Sequence, residues 1–224
     1  WGLFSVYVKS FALEAGLIVL VLNIFWNFAV VAQSNTNMQM MDDSWSGSIK
    51  QLFVSGIRES EYIVARILFT AIISLVLLAI LLLTSYYVFG LEIIFSRFDI
   101  TFYLSLSTLI ASVAMSVLIA ALIINTGKEY GFLSWTLLQV FILLSAPFYP
   151  ITVFPPLLQA LSKVMPYTAT FENARSFASV GTINTSLLVE GFIVSIAYLM
   201  ISLPIYFYAF RRARKTGYLV RLGM

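Results

Sequence analysis

The chain has 224 residues, of which 61% are hydrophobic and 10% charged, with 13 Lys and Arg, 10 Asp and Glu, and no histidine or cysteine. A soluble domain carries about 25% charged residues, so the composition excludes a soluble fold and describes a polytopic membrane protein. The lack of Cys and His excludes disulfides, thiolate chemistry, Ser-His-Asp and Cys-His arrangements and the usual transition-metal ligands, and the net charge of +3 reads as a distribution across a bilayer, not as a nucleic-acid signal.

Residues 1–10 are aromatic, carry Lys9 and suit an interfacial lead-in. The first span is predicted over residues 11–33. Asn23 and Asn27 lie on one face of it, four residues apart, where buried amides either bond neighbouring helices or face a substrate. Residues 34–61 form the longest polar connection. Within it Ser48 and Gln51 have capping-box spacing, and Ile49, Leu52 and Phe53 then make a small apolar face with Lys50 and Arg58 elsewhere. The second span is predicted over 62–90 and the third over 101–125, where Ser112, Ser116 and Ala120 form a small-residue row that lets helix backbones approach closely. The fourth span is predicted over 131–146, with Gln139 as its strongly polar interior residue. The fifth runs over 187–210, with Pro204 expected to kink it near its end, and the tail 211–224 has five basic residues and no acidic one.

Residues 145–177 hold five of the six prolines. Pro147, Pro150, Pro155 and Pro156 stop any helix entering from the N-terminal side, and Pro156 suits a first helical position. Leu157, Leu158, Leu161, Val164 and Met165 then recur at helical spacing until Pro166. Thr168 is expected to cap a second helix in which Glu172 and Arg175, three apart, can pair. Each helix is too short to cross a bilayer, which needs about 20 residues. Phe148, Tyr149, Phe154 and Tyr167 give the region an aromatic, lipid-interface character.

With the tail placed in the cytoplasm, alternating spans put Lys50, Arg58, Arg66, Lys128, Arg211, Arg212, Arg214, Lys215 and Arg221 inside and Lys9, Arg97, Lys163 and Arg175 outside. Nine against four satisfies the positive-inside rule. The span interiors carry almost no charge at mid-depth, which argues against a proton-coupled pump, a charge-selective channel or a voltage sensor. Gly127-Lys128 has neither the preceding glycine nor the following hydroxyl of a phosphate loop. The energy for any transport would therefore come from a partner.

The order of a span ending in prolines, the pair Pro155-Pro156, a short amphipathic helix, Pro166-Tyr167-Thr168 and then Arg175 resembles the region before the last span of the ABC type-2 permeases, the membrane subunits of bacterial and archaeal ABC exporters. Residues 47–66, GSIKQLFVSGIRESEYIVAR, resemble that family's coupling segment, which docks on the ATPase subunit. Two positions depart from it: the family usually has an acidic residue where Lys50 stands and a proline where Gly56 stands.

The resemblance implies an all-α permease domain whose five visible spans are spans two to six of six, so that one span would precede Trp1. It implies a cytoplasmic coupling segment over 42–58, with Gly47, Ser48, Ile49, Lys50, Gln51, Leu52, Phe53, Ser55 and Arg58 as contacts. It also implies two outer-leaflet re-entrant helices over 155–178, with Phe148, Tyr149, Phe154, Pro155, Pro156, Pro166, Tyr167, Glu172 and Arg175 as an outer gate. The expected partners are a separate ABC ATPase subunit holding ATP and Mg, a second permease copy or homologue, and the lipid bilayer, with no cofactor on this chain. The expected location is the cytoplasmic membrane of a bacterium or archaeon, with the C-terminus inside. Asn23, Asn27 and Gln139 are candidates for the path of an apolar or amphiphilic, drug- or lipid-like substrate. A polysaccharide exporter and a non-transporting membrane scaffold stand as alternatives.

Overall fold

A computed structural model of the protein describes residues 13–48, 51, 54–126 and 131–215. Regular structure among these residues is helical throughout: α1 Leu13–Trp45, α2 Glu59–Phe89, α3 Ile93–Ser96, α4 Phe98–Thr126, α5 Gly131–Leu144, a 3-10 turn Ile151–Val153, α6 Pro156–Lys163, α7 Thr168–Val180 and α8 Thr185–Lys215. In hydrocarbon every backbone polar group needs an internal partner, so long apolar runs can only be helices. Four helices are long and apolar enough to cross a membrane, over Ala15–Asp43, Glu59–Phe89, Phe98–Asn125 and Thr185–Lys215. The all-α polytopic membrane fold read from composition is the one found. α5 has 14 residues within the described part, about 21 Å of helix, and adjoins residues 127–130, which lie outside the described residues.

α4 is the centre of the bundle. In its most apolar window 72% of the residues are buried, against 22% in each of α2 and α8. α1 and α8 pack on it along their lengths, and Ser112 and Ser116 are fully buried. Small side chains explain the close approach: the Ser112 hydroxyl donates to the Ala29 carbonyl of α1 at 3.4 Å. The larger apolar core joins α1, α4 and α7 through Phe25, Phe28, Leu104, Met115, Phe171 and Phe177. A smaller one at the other end joins Tyr62 and Ile63 of α2 to Ile124 of α4 and to Tyr206 and Phe210 of α8.

Two boundaries differ from the sequence reading. The polar stretch beginning at residue 34 is not connection but a continuation of α1 to Trp45. Thr36, Asn37, Met40 and Met41 share one helix face and are buried, so this stretch is an inward stripe written partly in polar residues. The loop after α2 contains the one-turn helix α3, made possible by Gly90 in the left-handed region at φ 66°, where it ends α2. α8 passes through Pro204 without a break and carries Arg211–Lys215 within the helix.

Candidate coupling and gating sites

Two clusters of polar side chains sit at opposite ends of the bundle, and α1 reaches both. At one end the last turns of α1 face the first turns of α2. Gln39 and Asp43 are four residues apart on α1, as Tyr62 and Arg66 are on α2, so each pair shares a face. Arg66 forms an ion pair with Asp43 and donates to Gln39 Oε1 at 3.1 Å, and the Tyr62 hydroxyl donates to Asp43 Oδ2 at 2.7 Å. One to two turns deeper the buried Thr36 and Thr70 hydroxyls meet at 3.0 Å.

Ser48 is helical, as is Gln51 three residues on. The Ser48 hydroxyl donates to Asp43 Oδ1 at 3.2 Å and lies 3.4 Å from the Asp43 carbonyl. The Asp43 carboxylate thus ties Ser48, in the expected coupling segment, to α1 and α2 together. The segment's far end is held by Glu61, whose carboxylate accepts the Arg58 backbone N–H at 2.9 Å. Between these anchors Gln51 and Ser55 are exposed, Gly47 is half-buried, and Val54 is 88% exposed. Ile49, Lys50, Leu52 and Phe53, four of the expected contacts, lie outside the described residues, as do tail residues 216–224. The C-terminal end of α8 joins the cluster: Tyr206 donates to the Glu59 carbonyl at 3.4 Å and Arg211 Nε donates to Glu59 Oε1 at 3.3 Å.

At the proline end, the connection from α5 turns at Ala146, whose φ of +52° is uncommon for a residue with a Cβ. Arg175 of α7 donates to the Ala146 carbonyl at 3.0 Å and pairs with Glu172 at 2.8 Å, and Glu172 in turn accepts the Ile151 backbone N–H at 2.9 Å. One ion pair on α7 therefore pins both ends of the proline turn. The expected gate aromatics divide. Phe148 stacks tilted against Trp26 at 5.7 Å, and Tyr149 and Phe154 meet edge to face at 5.3 Å. Tyr167, expected with them at the lipid interface, is instead fully buried, its hydroxyl donating to Gln33 Oε1 of α1 at 2.8 Å and lying 3.2 Å from Ser112 Oγ of α4. A phenol with an apolar body and two polar partners is more favourable inside than at the surface.

Pro155 and Pro156 are exposed, with Pro156 opening α6, and Pro166 is buried. Thr168 is not the cap of α7. Tyr167 stands at the N-cap, and the Thr168 hydroxyl donates back to the Ser162 carbonyl at 2.5 Å. Further along α7, Thr170 meets Ser107 of α4 at 3.1 Å and Asn173 Oδ1 accepts the Asn184 N–H at 2.8 Å. α8 approaches closely at Gly191, where a Cβ would lie 2.6 Å from that of Ala169. The Pro166 carbonyl lies 3.5 Å from Ser195 Oγ. Ser195 is ten residues into α8, about 15 Å, so irregular backbone at this depth is buried in protein as a bilayer requires.

The candidate path residues are less concentrated. Asn27 donates to the Asn23 side chain and carbonyl, both at 2.9 Å, so this pair bonds within α1. Asn23 Nδ2, Gln33 Nε2 and Asn37 Oδ1 on the same helix are buried without a hydrogen-bond partner. Gln139 is half-buried on α5, which packs against α1.

Asp43, Gln33 and Ser112 were not read as site residues from the sequence. The signal for Asp43 was the matching i, i+4 spacing of Gln39/Asp43 and Tyr62/Arg66 on two successive helices. No comparable local signal marks Gln33, whose partner is 134 positions away.

The family model described as ABC-2 type transporter matches residues 3–179, from ahead of α1 to the last turn of α7. No curated protein matches the chain.

Proposed function

We propose, because this chain belongs to the ABC-2 type transporter family, that it is the permease subunit of an ATP-driven exporter whose ATP and Mg are held by a separate ATPase subunit. The Asp43 end is cytoplasmic in this reading. Among the described residues six basic side chains, Arg58, Arg66, Arg211, Arg212, Arg214 and Lys215, lie at that end, against Arg97, Lys163 and Arg175 at the other, which agrees with the positive-inside rule. Gly47 to Arg58 receive the ATPase, and α6 with α7 forms the outer gate together with Phe148, Tyr149 and Phe154.

The observation that carries the reading is the continuity of α1. It holds the coupling segment through Asp43 and the gate helix through Gln33, ten residues or about 15 Å further along one rigid helix. A push on the segment is thereby delivered to the gate as a rigid-body displacement. The cargo is apolar or amphiphilic and passes Asn23, Asn27 and Gln139. Asn23 Nδ2, buried without a partner, supports a polar position that the polar part of such a cargo could satisfy. The broad apolar faces of α2 and α8, including Leu68, Ile72, Ile193 and Met200, support lipid and a second permease copy as neighbours.

The test is purification under mild detergent with co-purifying subunits identified. A nucleotide-binding subunit is expected to accompany the wild type and to be lost on deletion of residues 49–53. Val54→Glu, a charge at an exposed position, should weaken capture while leaving the melting temperature unchanged. Undiminished capture and transport in both variants would overturn the coupling assignment. Absence of any ATPase would leave a membrane scaffold.

A further inference from the structure

Between α6, α7 and α8 at the proline end lies a cavity of about 350 Å3, within the size range of small-molecule sites. Its floor is closed where Ala169 meets Gly191, and Met165, Leu187 and Val194 give it apolar walls. Three charged side chains line it: Lys163, Glu172 and Glu190. Glu172 is engaged by Arg175 and by the Ile151 N–H. Lys163 and Glu190 are exposed, and among the described residues neither forms an ion pair. The cavity therefore presents one available ammonium and one available carboxylate, which complement a zwitterion.

The surroundings specify what kind of zwitterion. α6, which ends in Lys163, exposes Leu157 and Leu161, and Val164 follows it; α8 exposes Val189 and Ile193 on either side of Glu190. A ligand held by its charges at the cavity mouth would lay apolar chains along these residues. We propose that this cavity binds the head group of a zwitterionic phospholipid bearing a primary amine, with the lipid ammonium donating to Glu190 and the lipid phosphate accepting from Lys163. A primary ammonium has donors for the carboxylate, whereas a quaternary one has none, so the site distinguishes the two head groups. Placing this site in the outer leaflet rests on the orientation argued above; the binding itself does not.

The experiment is native mass spectrometry of the purified protein offered phosphatidylethanolamine or phosphatidylcholine of the same acyl composition. The wild type should retain the ethanolamine lipid roughly tenfold better, the worth of one charge-assisted hydrogen bond. Glu190→Gln should abolish that preference, and Lys163→Gln should weaken both lipids alike, because the phosphate is common to them. Melting temperatures of both variants should match the wild type, since both side chains are exposed. Free phosphoethanolamine distinguishes the sources of this chemistry: it should fail to displace the lipid, and displacement at equal concentration would overturn the phospholipid assignment. Equal retention of the two lipids, or a preference that survives Glu190→Gln, would overturn the site. ATPase capture is read separately, so loss of lipid preference with capture intact removes this site alone, and the converse result removes only the coupling assignment.

Discussion

The two ends of the bundle are held by different means. At the proline end, α7 is fixed on three sides by buried groups: Tyr167 to α1 and α4, Thr170 to α4, and Ala169 against Gly191 of α8. At the Asp43 end the ties are ion pairs and hydrogen bonds nearer to water, with Arg66 27% and Arg211 69% exposed at the side chain. Buried hydrogen bonds are costly to leave unmade, whereas exposed ion pairs contribute about 0–1 kcal/mol each. The proline end is thus a preassembled block. The Asp43 end keeps a small buried core, but its outermost tie, Arg211 to Glu59, is solvated and weak, which fits the proposed role of receiving a partner's push.

Substitutions should reproduce that contrast. The largest effect is expected for Arg175→Ala, which strands the Glu172 carboxylate and the Ala146 carbonyl at a left-handed turn. A cost of about 2–3 kcal/mol is expected, between the exposed-pair and buried-pair ranges because the side chains keep 14% and 23% exposure. It should appear as a clear fall in the thermal midpoint in detergent. Tyr167→Phe should cost about 1–2 kcal/mol by leaving Gln33 Oε1 and Ser112 Oγ without the phenol. The same melting assay checks it, and Gln33→Leu in the Tyr167→Phe background should recover part of the loss, because a polar atom left buried alone is then removed. The smallest effect belongs to Arg211→Ala, expected within about 0.5 kcal/mol of wild type because the pair with Glu59 is largely solvated. A large loss there would show that the Asp43 end is not the looser one.

The same contrast explains what the sequence made legible. The apolar runs of α2, α4 and α8 are written continuously, so their existence and type could be read from composition and period. The prolines marked the starts of α6 and the turn before it, and the i, i+3 spacing marked the Glu172–Arg175 pair. The last turns of α1 were not legible. Their buried stripe is Thr36, Asn37, Met40 and Met41, half polar in composition, and its partners lie on α2. At Ser48 the local spacing displays only the relation to Gln51, whereas the bond of its hydroxyl to Asp43 depends on the folded chain. Tyr167 looked interfacial because tyrosine often is; its burial depends on Gln33 and Ser112, which only the tertiary fold brings together.

The most direct measurement places spin labels on the permease within the proposed ATPase complex, one pair at Leu157 and Val180 of the proline end and another at Val54 and Arg212 of the Asp43 end, all exposed positions. The distance within each pair is then compared with and without ATP. The Leu157–Val180 distance should stay constant while the Val54–Arg212 distance changes, because the first pair rides on one block and the second spans contacts that yield. A change across the proline pair with none at the Asp43 pair would contradict the account.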